Sequence, residues 1–208
     1  MKILLAAVNA KYIHSNLAVY SLKAFAGEYR EQIEIGEYTI NQKKDEILKG
    51  LYQKRPDILC FSCYIWNISY VTDLITEAAK IMPYTRIWVG GPEVSYDGEA
   101  FLNKYPQVEG VMVGEGEETF LELVRHYTEG RTSLEQIPGI VFRVRGKGQL
   151  WRTSPREILD MSVIPFPYEK IEAFNHKIIY YESSRGCPFS CSYCLSSVDK
   201  RLRFRKLD

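Results

Sequence analysis

The chain has no excess of charge of either sign. Its 208 residues carry 27 Lys and Arg against 26 Asp and Glu, a formal net charge of +1. That balance argues against an electrostatic hold on nucleic acid or an anionic membrane as its main business. Long hydrophobic runs are also lacking, and no stretch approaches the ~18 apolar residues of a membrane span. The apolar opening Ile3-Leu4-Leu5-Ala6-Ala7-Val8 ends at Asn9-Ala10-Lys11, too short for a secretory leader and without a cleavage pattern. The expected location is therefore cytoplasmic, with no membrane partner. No internal repeat or low-complexity segment is present. Cysteine is scarce at five, an odd number, which in a reducing compartment points to metal or redox chemistry rather than disulfides. What remains is 46% hydrophobic and 25% charged, enough to bury a sizeable core.

Along the chain, short apolar runs alternate with helical patterns. Strands are expected at residues 2–8, 33–40, 58–62, 86–89 and 110–113. Helices are expected from a Ser15 cap to about residue 29, over 43–54, through Val71, Leu74, Ile75 and Ala78, over 99–105, and around Phe120, Leu123 and Val124. Five strands alternating with helices make an α/β, doubly wound parallel sheet. Ligands of such sheets bind beyond the carboxyl ends of the strands, near the point where strand order reverses. The polar and glycine-rich segments 9–16, 62–67, 90–95 and 114–117 fall there. Past Gly130 the pattern changes to a hairpin, residues 139–144 and 149–152 around Gly146-Lys147-Gly148. An extended linker with Pro165 and Pro167 follows, and then a strand over 177–181 that leads into the cysteines.

Those cysteines read Arg185-Gly186-Cys187-Pro188-Phe189-Ser190-Cys191-Ser192-Tyr193-Cys194. Three thiols at Cys-x3-Cys-x2-Cys on one short loop can hold three irons of a cubane cluster and leave the fourth open. A structural zinc usually takes four ligands and would have to borrow one. The spacing and its neighbours closely resemble the signature of the radical SAM superfamily. The resemblance implies a 4Fe-4S cluster on Cys187, Cys191 and Cys194, with S-adenosylmethionine chelated at the open iron and cleaved to a 5′-deoxyadenosyl radical. It also implies an electron donor such as flavodoxin or ferredoxin.

The order of segments is similar to that of cobalamin-dependent radical SAM enzymes: a flavodoxin-like domain, a hairpin, a Pro-containing linker, then the cysteine motif. The resemblance implies a cobalamin-binding Rossmann-like domain over 1–130, a hairpin and linker over 131–174, and the start of a radical SAM barrel over 175–208. Gly90-Gly91-Pro92-Glu93 and Gly114-Glu115-Gly116-Glu117 look like that family's cofactor loops, glycine permitting close approach of a corrin ring. The expected cofactor contacts are Asn9, His14, Ser15, Ser62, Tyr64, Asn67, Gly91, Pro92, Glu93, Gly114, Glu115 and Gly116, with Tyr193 beside the cluster. The Asp-x-His-x-x-Gly motif that supplies a lower cobalt ligand elsewhere is missing. His14 has Tyr12 where Asp would stand and Leu17 where Gly would stand, so it reads as a pocket or helix-start residue.

Other features read as structural. Cys60 of Cys60-Phe61-Ser62-Cys63 lies inside a strand, away from the helix start a redox pair needs, and reads as core; Cys63 stands at the strand end beside the pocket. The basic run from Lys200 to Lys206 reads as a half-exposed extended segment, and nucleic acid as an unlooked-for partner. His126, His176 and most of the 15 tyrosines have local or packing roles. The function expected of the intact protein is methyl transfer to an unactivated carbon or phosphorus centre, with the chain as given, ending at Asp208, inactive by itself. The competing readings are a non-catalytic flavodoxin-like module with a structural metal, and a radical SAM enzyme whose cobalamin domain is vestigial.

Overall fold

A computed structural model of the chain describes residues 1–146, 148–197 and 201–206. Lys147 of the expected turn and Lys200 of the basic run lie outside the described residues. Five parallel strands form the body of the sheet: β1 (Ile3–Asn9), β2 (Ile33–Thr39), β3 (Ile58–Ser62), β4 (Arg86–Gly90) and β5 (Val108–Met112). They lie in the order β2-β1-β3-β4-β5, so strand order reverses between β1 and β3. This is the flavodoxin-like doubly wound arrangement. All seven residues of β1 are buried, because it lies between two strands and under helices on both faces.

Alternate residues feed two cores. On one face Leu4, Ala6, Val8, Leu59, Phe61 and Val89 pack with Ile47 and Leu51 of α2 (Lys44–Lys54) and Val71, Leu74 and Ile75 of α3 (Ile68–Ile81). On the other face Ile3, Leu5, Ala7, Cys60 and Trp88 meet Val19 of α1 (Leu17–Phe25) and Phe120, Leu123 and Val124 of α6 (Glu117–Glu129). Burying each such aliphatic side chain contributes about 1.5–3 kcal/mol. Trp88 needs a glycine beside it: a Cβ at Gly110 would lie 2.4 Å from its ring. No helix among the described residues is long and apolar enough to cross a membrane.

The structure departs from expectation at several boundaries. The hairpin β6 (Ile140–Arg143) and β7 (Leu150–Arg152) does not stand apart. It joins β5 antiparallel, pairing Val111 with Val141, and extends the sheet to seven strands. An unpaired β5 edge would leave buried backbone groups without partners, and Ile140, Val141 and Phe142 are all buried against the cores. Helix α1 is capped by Asn16, whose side chain accepts from the Val19 N–H, and not by Ser15; it ends at Phe25, where a 3-10 turn follows. The loop after β4 contains a short helix, α4 (Pro92–Ser95), followed by α5 (Gly98–Lys104).

Residues 177–181 do not form a strand. Only Ile178 bridges the sheet side, through His14. The pairing that frames the cysteines comes slightly later, in the two-residue ribbon of β8 (Ser184–Arg185) with β9 (Arg203–Phe204).

Candidate functional site

The carboxyl ends of β3, β4 and β5 open into a cavity of about 760 Å³, within the usual range for ligand sites. Leu5, Cys60, Phe61 and Met112 line its base, and Leu17, Val19 and Leu22 of α1 form one wall. Ser62, Tyr64, Gly91, Pro92, Gly114, Glu115 and Gly116 line it too, together with Glu182 and Arg185 from the segment ahead of the cysteines. The two glycine loops are shaped for close approach. Gly91 has φ 112° and ψ 170°, and a Cβ there would lie 2.4 Å from the Cys63 carbonyl oxygen. Gly114 has φ 80°, and a Cβ there would meet nothing within 4 Å. At Gly116, just before α6, a Cβ would come 3.1 Å from Leu22.

The other expected contacts do not line this cavity. Asn67 is fully buried; its amide donates to the carbonyls of Val8 at 2.9 Å and Ser62 at 3.0 Å, and its side-chain oxygen accepts from the Tyr64 N–H at 2.8 Å. It fixes the β3–α3 loop. Asn9 donates to the His14 carbonyl at 2.9 Å and to Glu37 at 3.1 Å. Glu37 also accepts from the Asn16 N–H, the Tyr20 hydroxyl and Lys177 Nζ at 2.7–2.9 Å. Ser15 is bound to the Ile178 carbonyl, and His14 Nδ1 lies 2.5 Å from the Tyr180 hydroxyl. These residues strap the segment before the cysteines to the β1–α1 loop. Glu93 is exposed on α4, and Cys63 packs in the α2–α3 core and not on the cavity. Burial pushes the thiols of Cys60 and Cys63 up to about 12, so both are inert core groups.

Cys187, Cys191 and Cys194 are all free and half-buried, on one loop held by Ser197, whose hydroxyl donates to the carbonyls of Cys191 and Cys194 at 2.9 and 2.6 Å. Tyr193 is 91% exposed. Three thiols are the right kind of donor for a cluster. Among the described residues, however, no three His, Cys, Asp or Glu side chains converge on a point where a metal ion would sit. The motif's spacing is therefore the ground for reading a cluster here.

The parallel body of the sheet, the helices through most of α6 and both glycine loops fall within one family match. The B12 binding domain family matches residues 3–124. The chain belongs to that family. The cobalamin-dependent radical SAM methyltransferase TokK of Streptomyces tokunonensis is 28% identical over 159 residues, 72% of this chain and 23% of TokK. The uncharacterized methyltransferase PH0819 of Pyrococcus horikoshii is 34% identical over 168 residues, 77% of this chain and 36% of PH0819. The solved structure of the cobalamin-dependent S-adenosylmethionine radical enzyme OxsB, with aqua-cobalamin and S-adenosylmethionine bound, superposes with a TM-score of 0.78 at 19% identity. That covers 98% of this chain and 30% of OxsB, a likeness of fold. The chain thus spans roughly a quarter to a third of these relatives' lengths.

The cavity of this B12 binding domain suits a cobalamin in kind. A deep apolar pocket can take the flat benzimidazole tail, and glycines at the rim leave room for the corrin. Among the described residues no histidine lines it, and His14 is engaged by Tyr180. Sequence reading missed Leu17, Leu22 and Met112, which as apolar residues on periodic elements are indistinguishable from core. It also passed over Arg185 and Glu182. Their signal was position, directly ahead of the cysteine motif.

Proposed function

We propose that the chain is the corrinoid-binding part, with the start of the cluster-binding part, of a cobalamin-dependent radical SAM enzyme, and that the intact enzyme transfers a methyl group to an unactivated centre. The observation that carries the reading is the glycine-rimmed apolar cavity at the switch point of a B12 binding domain, lined also by Glu182 and Arg185 directly ahead of a Cys-x3-Cys-x2-Cys loop. The relatives named as methyltransferases support the reaction class.

The chain's own residues have definable tasks in this reading. Leu5, Cys60 and Met112 would take the apolar tail and exclude water from it. Gly114 and Gly116 would admit the ring, Gly91 lets its own loop seat against the Cys63 backbone, and Ser62 and the backbone of residues 114–116 would offer hydrogen bonds at the rim. Tyr64, its hydroxyl shifted upward by burial first and by Cys63 and Glu182 after, would stay neutral and stack, as it already does on Trp66 at 4.4 Å between centroids. Cys187, Cys191 and Cys194 would close around three irons, and Tyr193 would face the nucleoside of S-adenosylmethionine. When bound, cobalamin supplies a transferable methyl group and the cluster supplies one-electron reduction, its electrons coming from a flavodoxin or ferredoxin.

The test is a titration with hydroxocobalamin followed by desalting and a visible spectrum, and separately a reconstitution with iron and sulfide. Corrinoid retained at about one per chain at tens of micromolar supports the reading. A chain that retains none at that concentration, or that takes zinc in preference to iron and sulfide, would sink it.

A further inference from the structure

The cysteine loop is joined to the rest of the molecule by a ribbon too short to hold itself. β8 and β9 pair only Ser184 with Phe204 and Arg185 with Arg203, and two-stranded pieces of this size are not stable alone. The pairing also sets two guanidinium groups directly opposite each other, an unfavourable arrangement in an antiparallel pair. A carboxylate resolves it. Glu115, on the glycine loop that rims the cavity, accepts from Arg203 Nη2 and lies 3.5 Å from Arg185 Nη1.

Each arginine is held again elsewhere. Arg185 donates to both oxygens of Glu117 at 2.7 and 3.3 Å and to both oxygens of Glu182 at 2.7 and 3.0 Å. Arg203 Nη1 donates to the Leu159 carbonyl at 2.9 Å, and the Leu159 N–H returns to Glu115 at 3.2 Å. At the ribbon's exit Gly186 has φ 92°, and a Cβ there would lie 2.2 Å from the Arg201 carbonyl oxygen, so the two stems run tightly together. The stems of the cysteine loop and the rim of the cavity are therefore bonded to each other through these two arginines. Planar, forked guanidinium groups transmit position in a way that a flexible ammonium does not.

We propose that Arg203, with Arg185, is a positioning residue that couples occupancy of the cavity to the arrangement of the three thiols. A ligand that orders Gly114-Glu115-Gly116 orders the ribbon through Glu115, and the ribbon orders the loop that starts one residue later. The inference rests on the corrinoid reading of the cavity, since it names the ligand whose arrival is felt at the cysteines. Coupling of this kind is reciprocal, so metal capture by the thiols tightens corrinoid binding by the same factor.

The test uses the whole chain and reads thiols, not turnover. Alkylation rates of Cys187, Cys191 and Cys194 by a bulky maleimide are followed by peptide mass spectrometry, with and without methylcobalamin kept in the dark. Methylcobalamin is expected to slow alkylation of these thiols by about fivefold or more. In Arg203→Gln that protection falls below about twofold, while retained methylcobalamin stays near one per chain. Arg203→Lys, which keeps the charge but not the fork, gives an intermediate value and serves if Arg203→Gln does not fold. A purely structural arginine would lower the melting temperature and leave the protection ratio alone, so equal protection in wild type and variants overturns the proposal. Bound methylcobalamin with no protection in wild type overturns it as well and leaves the corrinoid reading standing. Failure of wild type to retain methylcobalamin removes the corrinoid reading, and the coupling falls with it.

Discussion

Two glycines at the rim of the cavity allow a paired test of the fold and the site. Gly91 occupies a region, φ 112° and ψ 170°, that is essentially closed to other residues, at a cost of about 1–3 kcal/mol. An alanine there would also drive its Cβ to 2.4 Å from the carbonyl oxygen and 3.0 Å from the nitrogen of Cys63. Both are backbone atoms of the buried β3–α3 turn, and no side chain can rotate away to relieve the clash. Overpacking of this kind adds about 1–3 kcal/mol. The total for Gly91→Ala is about 4 kcal/mol, a large share of the ~5–15 kcal/mol that holds a domain folded. Gly114→Ala differs in one respect. Its φ of 80° carries the left-handed penalty of about 1–2 kcal/mol, but its Cβ meets nothing within 4 Å.

Urea unfolding followed by Trp fluorescence separates the two. With a slope near ~2 kcal/mol/M, the midpoint should fall by about 2 M for Gly91→Ala and by about 0.5–1 M for Gly114→Ala. Hydroxocobalamin binding should show the opposite emphasis in Gly114→Ala: the new methyl group, free of any clash within the chain, would stand where the corrin approaches and cut affinity by about tenfold or more. Midpoints within about 0.5 M of each other would refute the steric argument at Gly91, and unchanged affinity in Gly114→Ala would refute the assigned approach.

Other outcomes follow from the same structure. Ala18→Trp, which projects an indole into the cavity from α1, should abolish corrinoid retention while far-UV circular dichroism stays native; full retention would mean that the cavity is not the site. With a chromogenic thiol reagent at about pH 8, Cys187, Cys191 and Cys194 should react in the native protein, and Cys60 and Cys63 only after unfolding, since burial pushes both of the latter up to about 12. Rapid reaction of all five would contradict the placement of the CxxC pair. At Glu115 burial alone would raise the carboxyl, but the Arg203 hydrogen bond, the Arg185 charge and the Leu159 N–H outweigh it and hold it below its ordinary value. Glu117 and Glu182 share the Arg185 guanidinium with it. A depressed carboxyl gives stability that is full above the unfolded value of about 4.3 and is lost as pH falls through the lower folded value. Glu115→Gln should therefore flatten the acid limb of the stability curve, and an unaltered limb would discount the network.

The parallel sheet was legible because each strand is a short apolar run and each helix shows one apolar face. The glycine loops were legible because the topology places the ends of β3, β4 and β5 on one side. The hairpin's place was not, because nothing local in Ile140-Val141-Phe142 says that its partner is β5, or that it closes an edge. Ser15 and Asn16 are both good caps; Ser15 is engaged by the Ile178 carbonyl and the Tyr168 hydroxyl, and Asn16 caps the helix. The strand expected over 177–181 failed for a related reason: an apolar β-prone run becomes a strand only where an edge is free, and here it finds a single bridge through His14. The charged clamp joins residues far apart in sequence, Glu115 to Arg203, and such a pairing has no periodic signature to read.

The family match ends at residue 124, but the piece of chain that could be moved intact into another protein is longer. Beyond the hairpin, Arg156 reaches back to bind Glu118, Glu122, Thr119 and the Pro138 carbonyl, stitching the return path onto α6. A graft cut after α6 would carry an open β5 edge, prone to pair with its neighbours in solution. A graft cut beyond residue 156 would keep that edge covered and that helix fastened, and is the shorter of the portable units worth making.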